Sequence, residues 1–436
     1  MFSPVTQNPS SSSSNNNNNN KFFCAVKRKE AKLVAPALPP PARDGIYWLS
    51  NLDDIPTILN MIFFYQSNKI SNTTDPVMVI QNALAEILVH YYPLAGRLEL
   101  SSEGKFEVIN SGEGAVFVEA ETDASISDVL AEYNLDTNME FLGKLFYNSA
   151  GESKNILDQP LLAIQPALDR TLLKARDPIQ IEMPLPEYTE IYQSNPPTAQ
   201  DPNIDDKGSC PLIFDSNTCF DDMVFSSLYF DSKTVALLKN EVLDEGILKT
   251  CTSFEAMIAF IWRIQTKALG MASCEMTKIL FAVDGRSRFC PPLPEGYHGN
   301  AILIACAITS TRELIDRELS YAVGLVQEAK VMINDKYMRA RIDYLEKMRP
   351  RPSLKATLII SSLCGIPFHK ADYGWGECTH YFRFRQPIHG AVYFLANGND
   401  RKGIRVLTSL PSFAWSQVKS LLQQQRRNLE FSEHNI

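Results

Sequence analysis

Tyr91-Tyr92-Pro93-Leu94-Ala95-Gly96-Arg97-Leu98 decides how the first part of this chain is read. Upstream of it, apolar residues recur at Val77, Val79, Ile80, Leu84, Ile87, Leu88 and Tyr91, which is a helical period. Pro93 has no backbone N–H and cannot continue that helix, so the spacing predicts a helix over 76–92. Past the turn, Lys105 to Val108 and Ala115 to Ala120 read as short strands on either side of Ser111-Gly112-Glu113-Gly114. That Gly-x-Gly lacks the third glycine and the following helix of a phosphate-binding loop, so it reads as a hairpin turn.

The alternation of strand and helix continues downstream. Between Thr189 and Asp222 the composition shifts to Pro, Asn, Asp, Ser and Gln, the signature of a connector. Met223 to Phe230 then reads as a strand and Ser232 to Val242 as a helix. Thr252-Ser253-Phe254-Glu255 is a capping-box pattern that starts a helix running to about Leu269. Ile279 to Val283 and Ala301 to Ile308 read as buried strands, and Leu314 to Asp335 as one long helix. Val392 to Leu395 and Ile404 to Leu407 flank Asn397-Gly398-Asn399-Asp400, a hairpin signal, and Ser412 caps a last amphipathic helix. The expectation is an α/β protein of two layered domains, residues 26–188 and 223–436, joined by a linker over 189–222. Residues 1–25 carry Ser10 to Ser14 and Asn15 to Asn20, have nothing to bury, and are expected to be a disordered tail. A plastid transit peptide is the alternative for this Ser-rich tract, which contains no Arg.

Composition closes off several functions. A chain of 436 residues is too long for one ordinary core, which fits two domains or three. Hydrophobic residues at 45% and charged residues at 21% exclude wholesale disorder. The net charge of −8, with no concentrated basic stretch, speaks against a nucleic-acid partner. No uncharged apolar run approaches the ~20 residues that span a bilayer, so no membrane span is expected. The cysteines stand singly with no C-x-x-C pair, which predicts no metal site and a reducing compartment. No basic-then-apolar leader precedes the tail, so a cytoplasmic location is expected. Phosphate-loop, H-E-x-x-H and G-x-S-x-G signatures are all missing.

Four spaced segments then point one way. Tyr91-Tyr92-Pro93-Leu94-Ala95-Gly96-Arg97-Leu98 resembles the Y-P-L-A-G-R motif of the plant BAHD acyltransferases. Val283-Asp284-Gly285-Arg286-Ser287-Arg288, before a Pro-Pro pair, resembles that family's R-x-R segment. Ala371-Asp372-Tyr373-Gly374-Trp375-Gly376 is similar to its D-F-G-W-G signature, with Tyr for Phe. Asp169 to Pro178, with the strand over 112–121, resembles the branch that moves feruloyl or caffeoyl groups to ω-hydroxy fatty acids and fatty alcohols for suberin and cutin. The resemblance runs from about residue 26 to about residue 425. It implies a chloramphenicol-acetyltransferase-like fold of two α/β domains, with mixed sheets and flanking helices. It also implies an acyl-CoA donor, an alcohol acceptor, no cofactor beyond the coenzyme A thioester, and a monomer. The stretch 357–386 is expected to return to the first domain's sheet, with Asp372, Tyr373, Gly374, Trp375 and Gly376 as a structural support away from the chemistry.

The family's reaction rests on H-x-x-x-D, and this chain has none. Four residues past His90, His298, His369, His380 and His389 stand Leu94, Ile302, Tyr373, Phe384 and Tyr393, and His434 lies too near the end. In the family the histidine is the general base and the aspartate pairs with an arginine. Leu161-Leu162-Ala163-Ile164-Gln165 resembles the approach to that motif, yet Pro166-Ala167-Leu168-Asp169-Arg170 follows at once. A strand, the catalytic loop and a helix are expected to be missing near Gln165, which leaves the first domain incomplete and the chain without a catalytic residue. Arg286 matches the partner of the absent aspartate, so it is expected either exposed or paired with a substitute carboxylate. Ser361 and Leu363 match a stretch of the active-site wall where relatives often carry Trp; Leu363 either leaves a hydrogen bond unmade or simply packs. His369 is the nearest imitation of the motif. Three readings follow: an acyltransferase fold lacking its base, a non-catalytic binder of coenzyme A esters or of a partner, and a chain that cannot fold.

Overall fold

The computed structural model describes residues 26–39, 45–53, 60–65, 75–122, 161, 223–295, 297, 299–348, 354, 356–370, 372, 377–378, 380–384, 390–397 and 403–433. The expected tail over 1–25, the linker over 189–222, the junction at Gln165, Tyr373 to Gly376 and the turn at Gly398 to Asp400 lie outside the described residues.

The N-terminal part holds eight described strands: β1 (Val26–Arg28), β2 (Lys32–Val34), β3 (Ile46–Trp48), β4 (Asn60–Phe64), β5 (Arg97–Leu100), β6 (Phe106–Ile109), β7 (Ala115–Phe117) and β8 (Ala120–Thr122). One helix, α1 (Pro76–His90), precedes β5. Its Asp75 side chain accepts from the Val77 N–H at 3.0 Å, and Pro76 occupies the first turn, where a missing N–H costs nothing. The helix ends where Pro93 requires, and Tyr92–Ala95 form a single tighter turn. Gly96 is then obligatory, because a Cβ there would run into the Ile109 carbonyl oxygen. Arg97 donates from Nη1 to the Gly96 and Gly114 carbonyls at 2.8 and 3.1 Å and pairs with Glu113 at 3.0 Å. The motif that decided the reading is thus a corner bolted by its own arginine. The Gly112 to Gly114 segment is not a hairpin turn, because β6 pairs with β3 and β5 whereas β7 pairs with β2. Positive φ values of 68° at Gly112 and 102° at Gly114 let the chain leave one sheet for another.

The C-terminal part is built on β9 (Met223–Phe230), β10 (Met276–Asp284), β11 (Ile302–Ser310), β12 (Thr357–Ser362), β14 (Ala391–Asn397) and β15 (Gly403–Pro411), with β13 (His380–Phe384) between β12 and β14 in the chain. The sheet order is β11-β10-β12-β14-β15-β9, with β12 parallel to both its neighbours and the remaining pairs antiparallel. Helices α2 (Ser232–Asp244), α3 (Ser253–Ala268), α4 (Thr311–Asp316), α5 (Leu319–Met332), α6 (Asp335–Met348) and α7 (Ser412–Glu433) complete it. Alternation assigns the faces. Ile279, Phe281, Val283, Val392 and Phe394 join the helices in the main core, whereas Ala391, Tyr393, Leu395 and Leu407 form a second cluster with Leu363. Helix α3 is central, with Ala256 to Trp262 all buried. Its polar side chains are satisfied: Trp262 Nε1 donates to Thr277 Oγ1 at 3.0 Å, and Gln265 Nε2 to Thr408 Oγ1 at 3.2 Å.

Two expectations change. The single helix over 314–335 is three helices, because Arg317 and Glu318 are extended, and the Asn334 side chain accepts from the Tyr337 N–H at 3.0 Å to start α6. The return of 357–386 to the N-terminal strands is narrower than expected. Thr357–Ser362 pair with β10 and β14, and His380–Phe384 alone pair with β4, antiparallel.

The capping box is present, and its carboxylate carries more than a cap. Glu255 accepts from the Thr252 N–H at 2.9 Å, from Lys330 Nζ at 2.9 Å and from Gln327 Nε2 at 3.1 Å. Burial alone raises the Glu255 carboxyl pKa, but the Thr252 amide, Lys330 and Gln327 outweigh it and hold it low. A depressed folded pKa contributes stability above the unfolded value that is lost as pH falls through the folded one. Glu255→Gln is therefore expected to cost about 1–2 kcal/mol at pH 7. In chemical denaturation the gap to the parent chain should close below about pH 4; a pH-independent gap would show that packing, not charge, is at stake.

Candidate functional site

Gly285 and Arg286 follow directly on β10, and the strand's exit fixes them. A Cβ on Gly285 would press on Leu303 Cδ2 and Met338 Sδ, both at 2.8 Å, so a larger residue there would have to displace those two buried side chains. Its N–H donates to the Ala301 carbonyl at 2.9 Å, closing the loop from Arg286 to Asn300. Within the loop the Arg286 guanidinium makes three bonds: Nη1 to Asp284 Oδ1 at 3.1 Å, Nη2 to the Gly299 carbonyl at 3.1 Å, and Nε to the Tyr297 carbonyl at 3.4 Å. Its Cζ lies 6.0 Å from the centre of the Tyr297 ring. The side chain is 39% exposed and that of Asp284 59%, so their ion pair is worth little by itself.

The N-terminal segment Ser50 to Asp53 is seated on this loop. Asp53 Oδ1 accepts from the Asn300 N–H at 2.8 Å, and Asn300 Nδ2 donates to the Leu52 carbonyl at 2.6 Å. Asp53 Oδ2 is held from its own side by Ser50 Oγ at 2.6 Å and the Ser50 N–H at 3.2 Å. Leu52, 2% exposed, is a member of the C-terminal part's main core. Asn51 Nδ2 reaches the Ile342 carbonyl on α6 at 3.2 Å, and Lys105 Nζ bonds Glu346 at 2.5 and 2.6 Å. Two tyrosines record how closely the seam is packed. Burial first, then the Asp53 carboxylate and Tyr92, push the Tyr47 hydroxyl up to about 12. Burial, Asp53 and Tyr47 also push the Tyr297 hydroxyl up, with Arg286 opposing. Neither phenol serves as a base near neutral pH.

The other residues singled out in the sequence lie elsewhere. Ser361 is half-buried on β12. Leu363 is buried, donates its N–H to the Phe394 carbonyl at 2.8 Å, and packs with Ala391, Tyr393, Leu395 and Leu407. Met61 from β4 packs on the same cluster, and Phe63 meets Phe368 with ring centres 5.5 Å apart. Asp372 is exposed, while Tyr373, Gly374, Trp375 and Gly376 are outside the described residues. His90 is exposed at the end of α1, and His380 stands opposite Phe64 in the β4–β13 pair. Among the described residues no three His, Cys, Asp or Glu are grouped to hold a metal ion, and no helix is long and apolar enough to cross a membrane. The sequence reading missed Asp53 and Asn300 altogether. Ser50 three residues before Asp53 is the one local signal, a side-chain turn pattern too common to single out a site.

Comparison with known proteins gives consistent relatives. The model of the family described as "Transferase family" matches residues 24–168 and 169–424. Omega-hydroxypalmitate O-feruloyl transferase of Arabidopsis thaliana is 38% identical over 437 aligned positions, covering 89% of this chain and 91% of that protein. Fatty alcohol:caffeoyl-CoA acyltransferase of Arabidopsis thaliana is 35% identical, covering 91% of this chain and 98% of that protein. The crystal structure of vinorine synthase superposes with a TM-score of 0.62 at 19% identity, over 90% of this chain and 96% of that one. That likeness shows the fold: two α/β domains with mixed sheets and flanking helices.

The seam makes a measurable demand. Leu52→Ala removes a side chain from the core that the C-terminal helices share, at an expected cost of about 2–5 kcal/mol. Chemical denaturation followed by tryptophan fluorescence should show it. A loss under about 0.5 kcal/mol would mean that the segment rests on the surface.

Proposed function

The chain belongs to the transferase family, the BAHD acyl-CoA acyltransferases, and from that premise we propose a hydroxycinnamoyl transferase that has lost its general base. The proposed donor is feruloyl- or caffeoyl-CoA and the proposed acceptor an ω-hydroxy fatty acid or fatty alcohol. The two Arabidopsis relatives named for those chemistries, at 38% and 35% identity, support the substrate reading. A role in suberin or cutin, as a cytoplasmic monomer, goes with it.

The observation that carries the loss of activity is the absence of H-x-x-x-D from a chain that otherwise spans its relatives nearly end to end. Its location is supported by the family match, whose two pieces meet between Leu168 and Asp169, three residues past Gln165. The alignment with the feruloyl transferase points the same way. It runs over 437 positions yet uses 89% of this 436-residue chain, so several dozen positions face no residue here. In the reaction, the acceptor oxygen attacks the thioester carbonyl while a base takes its proton, and coenzyme A leaves as the thiolate. Arg286 bonds Asp284 and two loop carbonyls, and the nearby phenols are pushed the wrong way to take that proton. A binder of coenzyme A esters that transfers nothing is the second reading. Its support is the six-stranded sheet with its helices, which the chain builds without the missing block.

The test sets this chain beside a version with the family's missing block restored after Gln165, each given feruloyl-CoA and ω-hydroxypalmitate. The restored chain should transfer at a rate at least about 10²–10⁴-fold above this one, the usual contribution of a positioned base. Comparable transfer by both overturns the proposal. A rise in unfolding temperature with feruloyl-CoA, in a chain that transfers nothing, supports the second reading.

A further inference from the structure

We propose that Asp53, acting through the peptide unit between Gly299 and Asn300, is the positioning residue that sets where the Arg286 guanidinium stands. The proposal rests on the acyltransferase reading, in which Arg286 belongs to the reacting region.

The geometry is that of one rigid plane held at both ends. The N–H of Asn300 donates to Asp53 Oδ1 at 2.8 Å, and the carbonyl of Gly299 accepts from Arg286 Nη2 at 3.1 Å. These two groups belong to the same peptide unit, which is planar, with C=O and N–H pointing oppositely. Turning the N–H toward Asp53 therefore turns the carbonyl toward Arg286. Both bonds are charge-assisted, one by the Asp53 carboxylate and the other by the Arg286 guanidinium, and the bond to Asp53 is the shorter, at 2.8 against 3.1 Å. Freedom elsewhere in the unit is already removed. A Cβ on Gly299 would collide with the Tyr297 hydroxyl, so the backbone lies tight on that ring. The Asn300 side chain is used at both ends, Nδ2 to the Leu52 carbonyl at 2.6 Å and Oδ1 from the Ile302 N–H at 2.9 Å. Asp53 is fixed in turn by Ser50 Oγ and, through Leu52, by the C-terminal core. Among the described residues Arg286 has one side-chain acid in contact, Asp284, and that pair is exposed, so the two loop carbonyls set its direction.

The experiment has two arms. In the present chain, amide hydrogen exchange is followed over residues 284–300. Asp53→Ala should speed exchange at Asn300 and along the loop by about tenfold or more, whereas Asp53→Asn, which keeps the acceptor oxygen, should stay within about threefold. Unchanged exchange in Asp53→Ala overturns the proposal. If that variant does not fold, Ser50→Ala loosens Asp53 more gently and should show the same loop opening in smaller degree; no opening there overturns the proposal too. In the restored chain, Asp53→Ala should lower kcat about 10- to 100-fold with KM for feruloyl-CoA within about twofold, the signature of misplacement by a fraction of an ångström to an ångström. Asp53→Asn should largely rescue kcat. Lys105→Gln, which breaks a different contact across the seam, should lower the unfolding temperature and leave kcat alone. If Asp53→Ala and Lys105→Gln behave alike, Asp53 is only a brace and the proposal fails. A restored chain without activity would sink the acyltransferase reading, and the exchange arm would then decide the clasp by itself.

Discussion

Leu52 is an N-terminal residue buried in a core made by the other end of the chain. Around it, the Asn300 amide bonds Asp53 and its side chain bonds Leu52, so apolar burial and two hydrogen bonds act at one point. The order of dependence matters. Burial of Leu52 excludes water from the bonds beside it, and bonds in a drier setting are stronger and more directional. The second described join, β4 on β13 with Met61 against the Leu363 cluster, works in the same way with backbone bonds in place of side chains. Each join ties a short N-terminal element to a large preformed surface. Among the described residues, the N-terminal strands of three to five residues share one small core cluster, Leu88, Ala95 and Ala115.

That asymmetry separates a self-contained sheet from the described elements that lean on it. The six-stranded sheet draws all its strands from residues 223–411 and is covered by α3, α5 and α7 from the same region. The described N-terminal elements lean on this body at Leu52 and through the β4–β13 pair.

Legibility in the sequence followed the range of the interactions involved. Helix α1 was readable because its period and the Pro93 stop are local, and the Thr252–Glu255 box because both its bonds close within four residues. Strand β9 was readable to the residue because its alternation is bounded by a polar stretch and by Asp231, which caps α2. The breaks in the helix expected over 314–335 were missed because neither Arg317 nor Asn334 is a Pro or Gly, and the one glycine between them, Gly324, sits inside α5. The Gly112 to Gly114 corner was misread because two flanking strands suggest a hairpin, and only the partners, β2 for one and β3 with β5 for the other, show a change of sheet. Asp53 and Asn300 were invisible for a stronger reason. They are separated by 247 positions, and no single sequence carries the signal that pairs them.

The family assignment and the fate of the reaction come apart on one physical point. Y-P-L-A-G-R, Gly285 and the capping box serve the fold itself: Gly96 admits no Cβ, a Cβ on Gly285 would displace Leu303 and Met338, and Arg97 satisfies two carbonyls. A general base is different in kind. Its value lies in a proton transfer that exists only at the transition state, and it contributes little to holding the ground-state fold together. A chain can therefore keep nearly every feature that identifies its family while lacking the group that the family's chemistry requires. Arg286 shows where the two kinds of constraint meet. Its charge cannot be shed, so it needs acceptors whether or not catalysis occurs, and Asp284 with the Tyr297 and Gly299 carbonyls supplies them. The arginine's own demand for acceptors thus fastens the Tyr297 and Gly299 carbonyls, and that demand acts in the folded ground state, where a base's proton transfer does not.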